Sequence, residues 1–335
     1  MDQTPLHPDH QMMQYILGKW ISKPIYVAAE LGIADILSAG DTGIDDLARQ
    51  TKASPSGLYR MMRALAGMGI FKEMKGRVFS NTALSECLKE DRLKSAALLF
   101  ESDWHNRLWD DLSYSVQTEK PAFERRFGKP VFEWLADNPD AAENFHKANA
   151  MKASSSHGVI AGVYDFQRIN TLMDLGGGYG NLMVEILKVH PHINGIIAEL
   201  PDMIPQICRS IKTNQLESRM RAVECDFFKA VPGGSEVYLL SHILHDWPDD
   251  DCITILRNCR KVIPESGKLL IIEMVIPPGN EFSISKLLDL EVLLMGGGKE
   301  RTEKEFKHLF ERSGFNLSNI LPTKETVSII EGTPH

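Results

Sequence analysis

The 335-residue sequence predicts a two-part α/β chain, with a doubly wound, mostly parallel sheet in the C-terminal half and an all-helical domain before it. Three observations predict it. Residues 11–39 repeat apolar side chains at helical spacing: Met13, Ile16, Leu17 and Trp20, then Ile25, Val27, Ala28, Leu31 and Ile36. From about residue 168, short apolar runs alternate with helical stretches, the pattern of a parallel sheet with right-handed crossovers. Between the first run and the next helix stands Asp174-Leu175-Gly176-Gly177-Gly178-Tyr179-Gly180-Asn181. Its glycines permit torsions and a close backbone approach that other residues resist.

The elements follow in order. The first ten residues are polar and are expected to fray. Gly43 to Ala48 starts a short helix. Ser54 and Pro55 then read as N-cap and first helical position of another, which carries Leu58, Met61, Met62, Leu65 and Met68 and stops at Gly69. Phe71 to Ser80 alternates around Gly76, as a hairpin does. Helix, helix, hairpin is a winged-helix order. Segment 44–90 has eight basic and five acidic residues, too weak a basic face for a DNA reader, so a structural or dimerising role is favoured. Residues 90–165 hold further helices rich in aromatics, among them Phe123, Phe127, Phe132, Trp134 and Phe145. These fill a helical core or wall an aromatic substrate. Strands are expected near 171–175, 193–199, 221–225, 237–241 and 268–273, with helices such as 180–189, 202–213 and 250–262 between them. The expected division is a winged-helix-like domain over 1–100, a helical linker region contributing to the substrate pocket over 101–165, and the catalytic domain over 166–335.

Composition narrows the function. A net charge of -8 argues against nucleic acid as the main partner. No apolar run approaches the roughly 20 residues of a membrane span, and the first residues show no secretory signal, so a cytoplasmic protein is expected. The five cysteines are odd in number and form no C-x-x-C pair; they read as reduced thiols, not a disulfide or zinc framework.

Doubly wound sheets bind ligands beyond the C-terminal ends of their strands. Here the first strand ends at Asp174 and Gly176, the second at Glu199, and the third at Asp226, followed by Phe227 and Phe228. The fourth leads into Ser241, His242, His245, Asp246 and Trp247, and the fifth ends at Glu273. Glu199 lies 19 positions after Gly180, where an acidic residue can bind ribose hydroxyls. Asp226 and Phe227 can hydrogen-bond and stack on an adenine. Histidine changes charge near neutral pH, so His245 can accept a proton from a weakly acidic hydroxyl. Helical backbone over 242–247 would put His242 and His245 on one face, a geometry that also suits a metal pair, but no third ligand stands at sensible spacing. Glu273 and Glu300 are candidate orienting carboxylates; for Glu300, inside Lys299-Glu300-Arg301, the alternative is solvated surface charge.

Taken together, Leu175-Gly176-Gly177-Gly178, Glu199-Leu200-Pro201, Asp226-Phe227-Phe228, Ile243-Leu244-His245-Asp246-Trp247 and Gly297-Gly298-Lys299-Glu300-Arg301-Thr302 resemble the plant caffeate-type and bacterial small-molecule O-methyltransferases. The resemblance covers nearly the full chain. It implies a Rossmann-like domain that uses S-adenosylmethionine (SAM) without a metal, and a homodimer through the N-terminal domain. It further implies His245 as catalytic base flanked by Glu273 and Glu300, and Gly176 and Gly178 under the methionine part of SAM. Glu199 matches the ribose ligand, and Asp226 with Phe227 the adenine contacts. Ser241, also placed in the cofactor site, stands where plant members often carry Lys. Phe145 to Met151 aligns loosely with the family's substrate-and-SAM helix. The expected function is methyl transfer to a hydroxyl of a small aromatic acceptor. The rivals are N-methylation of a heteroaromatic ring, a SAM-binding relative that decarboxylates or hydroxylates, and a ligand-sensing DNA-binding regulator.

Overall fold

The computed structural model describes residues 7–335, apart from the side chains of 150–156. The start expected to fray therefore lies, for residues 1–6, outside the described residues. The chain packs as two units: residues up to 109 with 135–151, and residues 110–134 with 152 onward.

In the first unit, the apolar periodicity of the early residues becomes α1 (Pro8–Ile16), α2 (Lys19–Glu30) and α3 (Ile33–Leu37). There follow β1 (Thr42–Gly43), α4 (Ile44–Thr51), α5 (Pro55–Gly67), β2 (Phe71–Met74) and β3 (Val78–Asn81), the helix, helix, hairpin order expected. Pro55 opens α5, where its missing N–H costs nothing, although the Ser54 hydroxyl makes no capping bond. The hairpin turns at Gly76, with φ +84°, and β1 extends it to a sheet of order β1-β3-β2. Ile33, Leu47, Met62, Leu65, Phe71 and Phe79 fill the core beneath. Further along this unit lie α6 (Lys94–Phe100) and α7 (Asp103–Trp109); α8 (Leu112–Thr118) and α9 (Ala122–Phe127) belong to the second unit, and α10 (Val131–Asp137) and α11 (Pro139–Val163) each run through a boundary between the two.

The second unit alternates β4 (Thr171–Leu175), α12 (Asn181–Val189), β5 (Asn194–Glu199), α13 (Ile204–Thr213), β6 (Met220–Glu224), β7 (Val237–Ser241), α14 (Asp249–Arg260) and β8 (Lys268–Glu273). It ends with β9 (Val275–Ile276), α15 (Ile284–Gly296), β10 (Arg301–Thr302), α16 (Glu303–Ser313), β11 (Phe315–Pro322) and β12 (Ser328–Pro334). Seven strands form one sheet in the order β11-β12-β8-β7-β4-β5-β6. Strands β4 to β8 run parallel, as expected. The antiparallel hairpin β11–β12, paired to β8 through β12, was not expected. Along each central strand, successive side chains serve opposite faces. Leu172, Leu239, Leu270 and Ile272 pack with α12 and α13, whereas Met173, Leu175, Tyr238, Leu240, Leu269 and Ile271 pack with α14 and α16. The strand order reverses between β4 and β7, and that switch point is where such sheets open a ligand crevice. Among the described residues, no helix is long and apolar enough to cross a membrane.

Candidate active site

The glycine turn leaves β4 with Gly176, Gly178 and Gly180 at φ +68°, +55° and +78°, all in the left-handed region. Gly176 donates its N–H to the Ala198 carbonyl (2.9 Å), which ties the turn to the end of β5. A side chain at Gly176 would lie 2.6 Å from the Ile243 Cδ1, and one at Gly180 would lie 2.7 Å from the Met220 Cε. At Gly178 no protein atom stands within 4 Å of such a side chain: the turn is packed beneath and open above. Directly below Gly177 lies Asp174, 1% exposed, whose Oδ1 has no hydrogen-bond partner among the described residues. Burial, reinforced by Glu199, pushes its carboxyl up to about 8.

Glu199 ends β5, and its Oε2 accepts the Leu200 N–H at 2.6 Å. Burial raises its pKa, against the N–H bonds of Leu200 and Gly178. Asp226, two residues beyond β6, accepts the Phe228 N–H and pairs with Lys229 (2.9 Å), which holds it below the usual carboxylate range. Phe227 reaches to 3.4 Å from the space over Gly176, while Phe228 turns edge-on to Trp247. Asn258 donates to both phenylalanine carbonyls and fixes this corner. Ser241 closes β7 opposite Ile272 of β8. Strand register thus brings every sequence-predicted cofactor residue to one edge of the sheet.

The next residues are not an α-helix. His242 takes a left-handed backbone (φ +54°), and His245 sits in a short 3₁₀ turn, Leu244–Asp246. The two rings nevertheless come within 5.4 Å. The His245 Nδ1 lies 2.8 Å from the Glu300 Oε1, its backbone N–H donates to the Glu273 Oε1 (3.1 Å), and its Nε2 is 3.5 Å from the Asp246 Oδ1. Glu273 is 0% and Glu300 1% exposed, so the surface-charge alternative for Glu300 does not hold. Each keeps its Oε2 unbonded among the described residues. The carboxylate at Nδ1 assigns the proton to that nitrogen and leaves Nε2 as the basic one. Burial alone would lower the imidazole's pKa, but Asp246, Glu300 and Glu273 raise it to about 9. Glu273 is pushed up to about 7 by burial, although His245 pulls the other way. Two functional features went unforeseen. Asp174 is expected at a strand end, but nothing in the sequence marks its burial, and Arg301, part of the Gly297 to Thr302 motif but given no role of its own, is fully buried. No group of three or more His, Cys, Asp or Glu among the described residues is placed to hold a metal. Of the loosely aligned segment 145–151, the side chains of Ala150 and Met151 lie outside the described residues.

A glycine turn and two acidic strand ends, beside a histidine held by carboxylates on a doubly wound sheet, define a SAM-dependent methyltransferase. Residues 109–316 match the O-methyltransferase domain and residues 13–91 the O-methyltransferase dimerisation domain, so the chain belongs to that O-methyltransferase family. It is 38% identical over 326 residues (96% of this chain, 95% of the other) to phenazine O-methyltransferase PhzM of Lysobacter antibioticus. It is 28% identical to phenazine-1-carboxylate N-methyltransferase of Pseudomonas aeruginosa (96% of each), and 29% to aclacinomycin 10-hydroxylase RdmB of Streptomyces purpurascens (94% and 87%). The crystal structure of LaPhzM superposes with a TM-score of 0.91 at 38% identity, covering 99% of this chain and 100% of that one. An O-methyltransferase from neocarzinostatin biosynthesis, in complex with SAM and 2-hydroxy-5-methyl naphthoic acid, superposes at 0.80 with 28% identity (94% and 96%). The expected fold class and the expected cofactor, SAM, both hold.

Proposed function

We propose that this chain transfers a methyl group from SAM to a hydroxyl of a small aromatic acceptor, with His245 as general base. The observation that carries the reading is the Glu300 contact at the His245 Nδ1, which fixes the ring and leaves Nε2 for the acceptor's proton. When bound, SAM supplies an electrophilic methyl on a sulfonium sulfur. The residues present fit it: the turn through Gly176 and Gly178, open at Gly178, would hold its amino-acid part. Asp174, a buried carboxyl whose Oδ1 has no partner among the described residues, suits a cationic group there. Glu199 would take the ribose hydroxyls; Asp226, Phe227 and Ser241 would frame the base. His245 then accepts the hydroxyl proton while Glu300 and Glu273 balance the imidazolium.

Acidity supports the assignment. A phenol has a pKa near 10, so an ordinary imidazole at about 6.5 would take its proton at a cost of about 5 kcal/mol. An imidazole raised to about 9 cuts that cost to roughly 1 kcal/mol. The second reading, N-methylation, has support in the 28% identity to a phenazine N-methyltransferase, and there a base matters less.

The test is transfer from methyl-deuterated SAM to a hydroxyphenazine, a hydroxynaphthoate, a catechol and their aza-aromatic counterparts, read by mass spectrometry. A labelled methyl ether is expected. Label on ring nitrogen alone would select the second reading, and SAM binding with no transfer would place the chain with relatives of other chemistry.

A further inference from the structure

We propose that Arg301 is a positioning residue of this reaction: its guanidinium fork holds the turn carrying His245 in register with Glu300. The inference rests on the reading of His245 as base.

Arg301 is 0% exposed. Its Nη1 donates to the carbonyls of Leu244 (2.8 Å) and Lys299 (3.0 Å). Its Nη2 donates to the Trp247 carbonyl (2.9 Å), the Asp249 Oδ1 (2.8 Å) and the Cys252 Sγ (3.3 Å), and its Nε donates to the same Asp249 oxygen (3.0 Å). Leu244 and Trp247 are the residues that bracket His245 and Asp246, so one rigid, planar group grips the turn on both sides. A lysine, with three donors radiating from one nitrogen, cannot span these acceptors.

The same grip reaches both carboxylates. Arg301 directly follows Glu300, so the group that fixes the turn is anchored one residue from the group that bonds the imidazole. In β10 it pairs with Val275 of β9, two residues beyond Glu273. Lys299 adds a backbone bond to the His245 carbonyl (2.8 Å), and Gly298 packs so tightly there that a side chain would come within 2.1 Å of that carbonyl oxygen. A buried guanidinium is costly unless its donors are used, and here all three nitrogens are.

Position and charge make separable contributions. The charged or titratable groups facing His245 are Asp246, Glu273 and Glu300, with the His242 ring beside it. Those facing Arg301 are Cys252, Glu273 and Asp249. Arg301 therefore also opposes the rise of the Glu273 pKa. Without that charge Glu273 would carry its proton more readily and support the imidazolium less.

The experiment follows the His245 ring by NMR in the full chain loaded with S-adenosylhomocysteine, in wild type, Arg301→Lys and Arg301→Gln. In wild type a protected Nδ1 proton and a titration well above the ordinary histidine range are expected. Arg301→Lys keeps the charge, so the titration stays, but loss of the fork should expose the Nδ1 proton to rapid exchange. Arg301→Gln should lose the protected proton and also shift the titration downward. Methyl transfer to a hydroxyphenazine should fall in both, by on the order of 10²-fold at most, with KM for SAM unchanged. A protected Nδ1 proton and a wild-type titration in both variants would overturn the proposal. Should neither variant fold, Asp249→Ala, at a partly exposed side chain that accepts two of the fork's bonds, decides by the same signal: its loss supports the proposal and its retention overturns it. Wild-type turnover in His245→Ala would instead remove the base reading, whatever the ring signals show.

Discussion

His245 is surrounded by three carboxyl groups and titrates far from its ordinary value, which has a direct kinetic consequence. With a pKa of about 9, the imidazole of the free enzyme is mostly protonated at neutral pH. A general base must be neutral, so kcat/KM should rise with pH on a limb well above 6.5 and flatten near 9; a limb at or below 6.5 would show that the carboxylates do not act on the ring as described. Asp174 gives a second prediction, on stability. Its folded-state pKa lies above the unfolded value near 3.9, so its contribution favours the folded state below about pH 4 and is lost as pH rises through about 8. Asparagine at 174 carries no proton to lose. The melting temperature of Asp174→Asn should therefore gain on that of wild type as pH rises from 4 to 8 without SAM, while its affinity for SAM drops. A constant difference across that range would remove the buried-carboxyl account. Residue type and spacing singled out His245, Glu273 and Glu199 as neighbours at one sheet edge, because strand ends converge wherever a doubly wound sheet forms. Burial was harder to read. Glu300 and Arg301 sit in a charged triplet that looks solvated, and only the fold brings the triplet beneath the histidine turn.

The glycine turn between β4 and α12 shows how one element divides packing from binding. Gly176 and Gly180 are closed off by Ile243 and Met220, whereas Gly178 faces open space at φ +55°. Gly178→Ala should therefore cost only the left-handed backbone strain, about 1–2 kcal/mol, and leave the fold intact. Its affinity for SAM should fall by more than that strain explains, since the added methyl fills the open side. Calorimetry showing wild-type affinity would mean that SAM does not approach this turn. The turn and strands β4 to β8 were legible because their signals are local: glycine spacing, alternation, and a helix start. The β11–β12 hairpin was not. Its outer strand, Phe315–Pro322, alternates only over Phe315 to Ser318 and then shifts register between Leu317 and Asn319, so it lacks the sustained alternation by which a strand is recognised. The histidine turn escaped for a related reason. A left-handed backbone at His242 and a single 3₁₀ turn leave no periodicity to read.

The apolar residues that α1 and α2 leave in solvent bear on the assembly of the chain. Tyr15, Ile16 and Trp20 are 70%, 66% and 72% exposed, with Met12, Met13 and Ile21 beside them, within the segment that matches a dimerisation domain or directly before it. So many contiguous apolar side chains mark an interface. We expect a homodimer in sedimentation at micromolar concentration, and Trp20→Asp should shift it toward monomer without unfolding the second unit. A wild-type monomer would contradict this. Chain-wide charge argues only against nucleic acid as the main partner, and the acceptor left no mark in the sequence: relatives at 38%, 28% and 29% identity carry O-methyltransferase, N-methyltransferase and hydroxylase names. The most direct test of the account is a pH–rate profile of methyl transfer from SAM by His245→Ala beside wild type, using phenolic acceptors of graded acidity. The account predicts that turnover falls by about 10²–10⁴-fold with SAM affinity nearly unchanged. The basic limb should vanish, and the loss should shrink for phenols already ionised at the assay pH. A folded His245→Ala protein that keeps the wild-type limb and rate would contradict it.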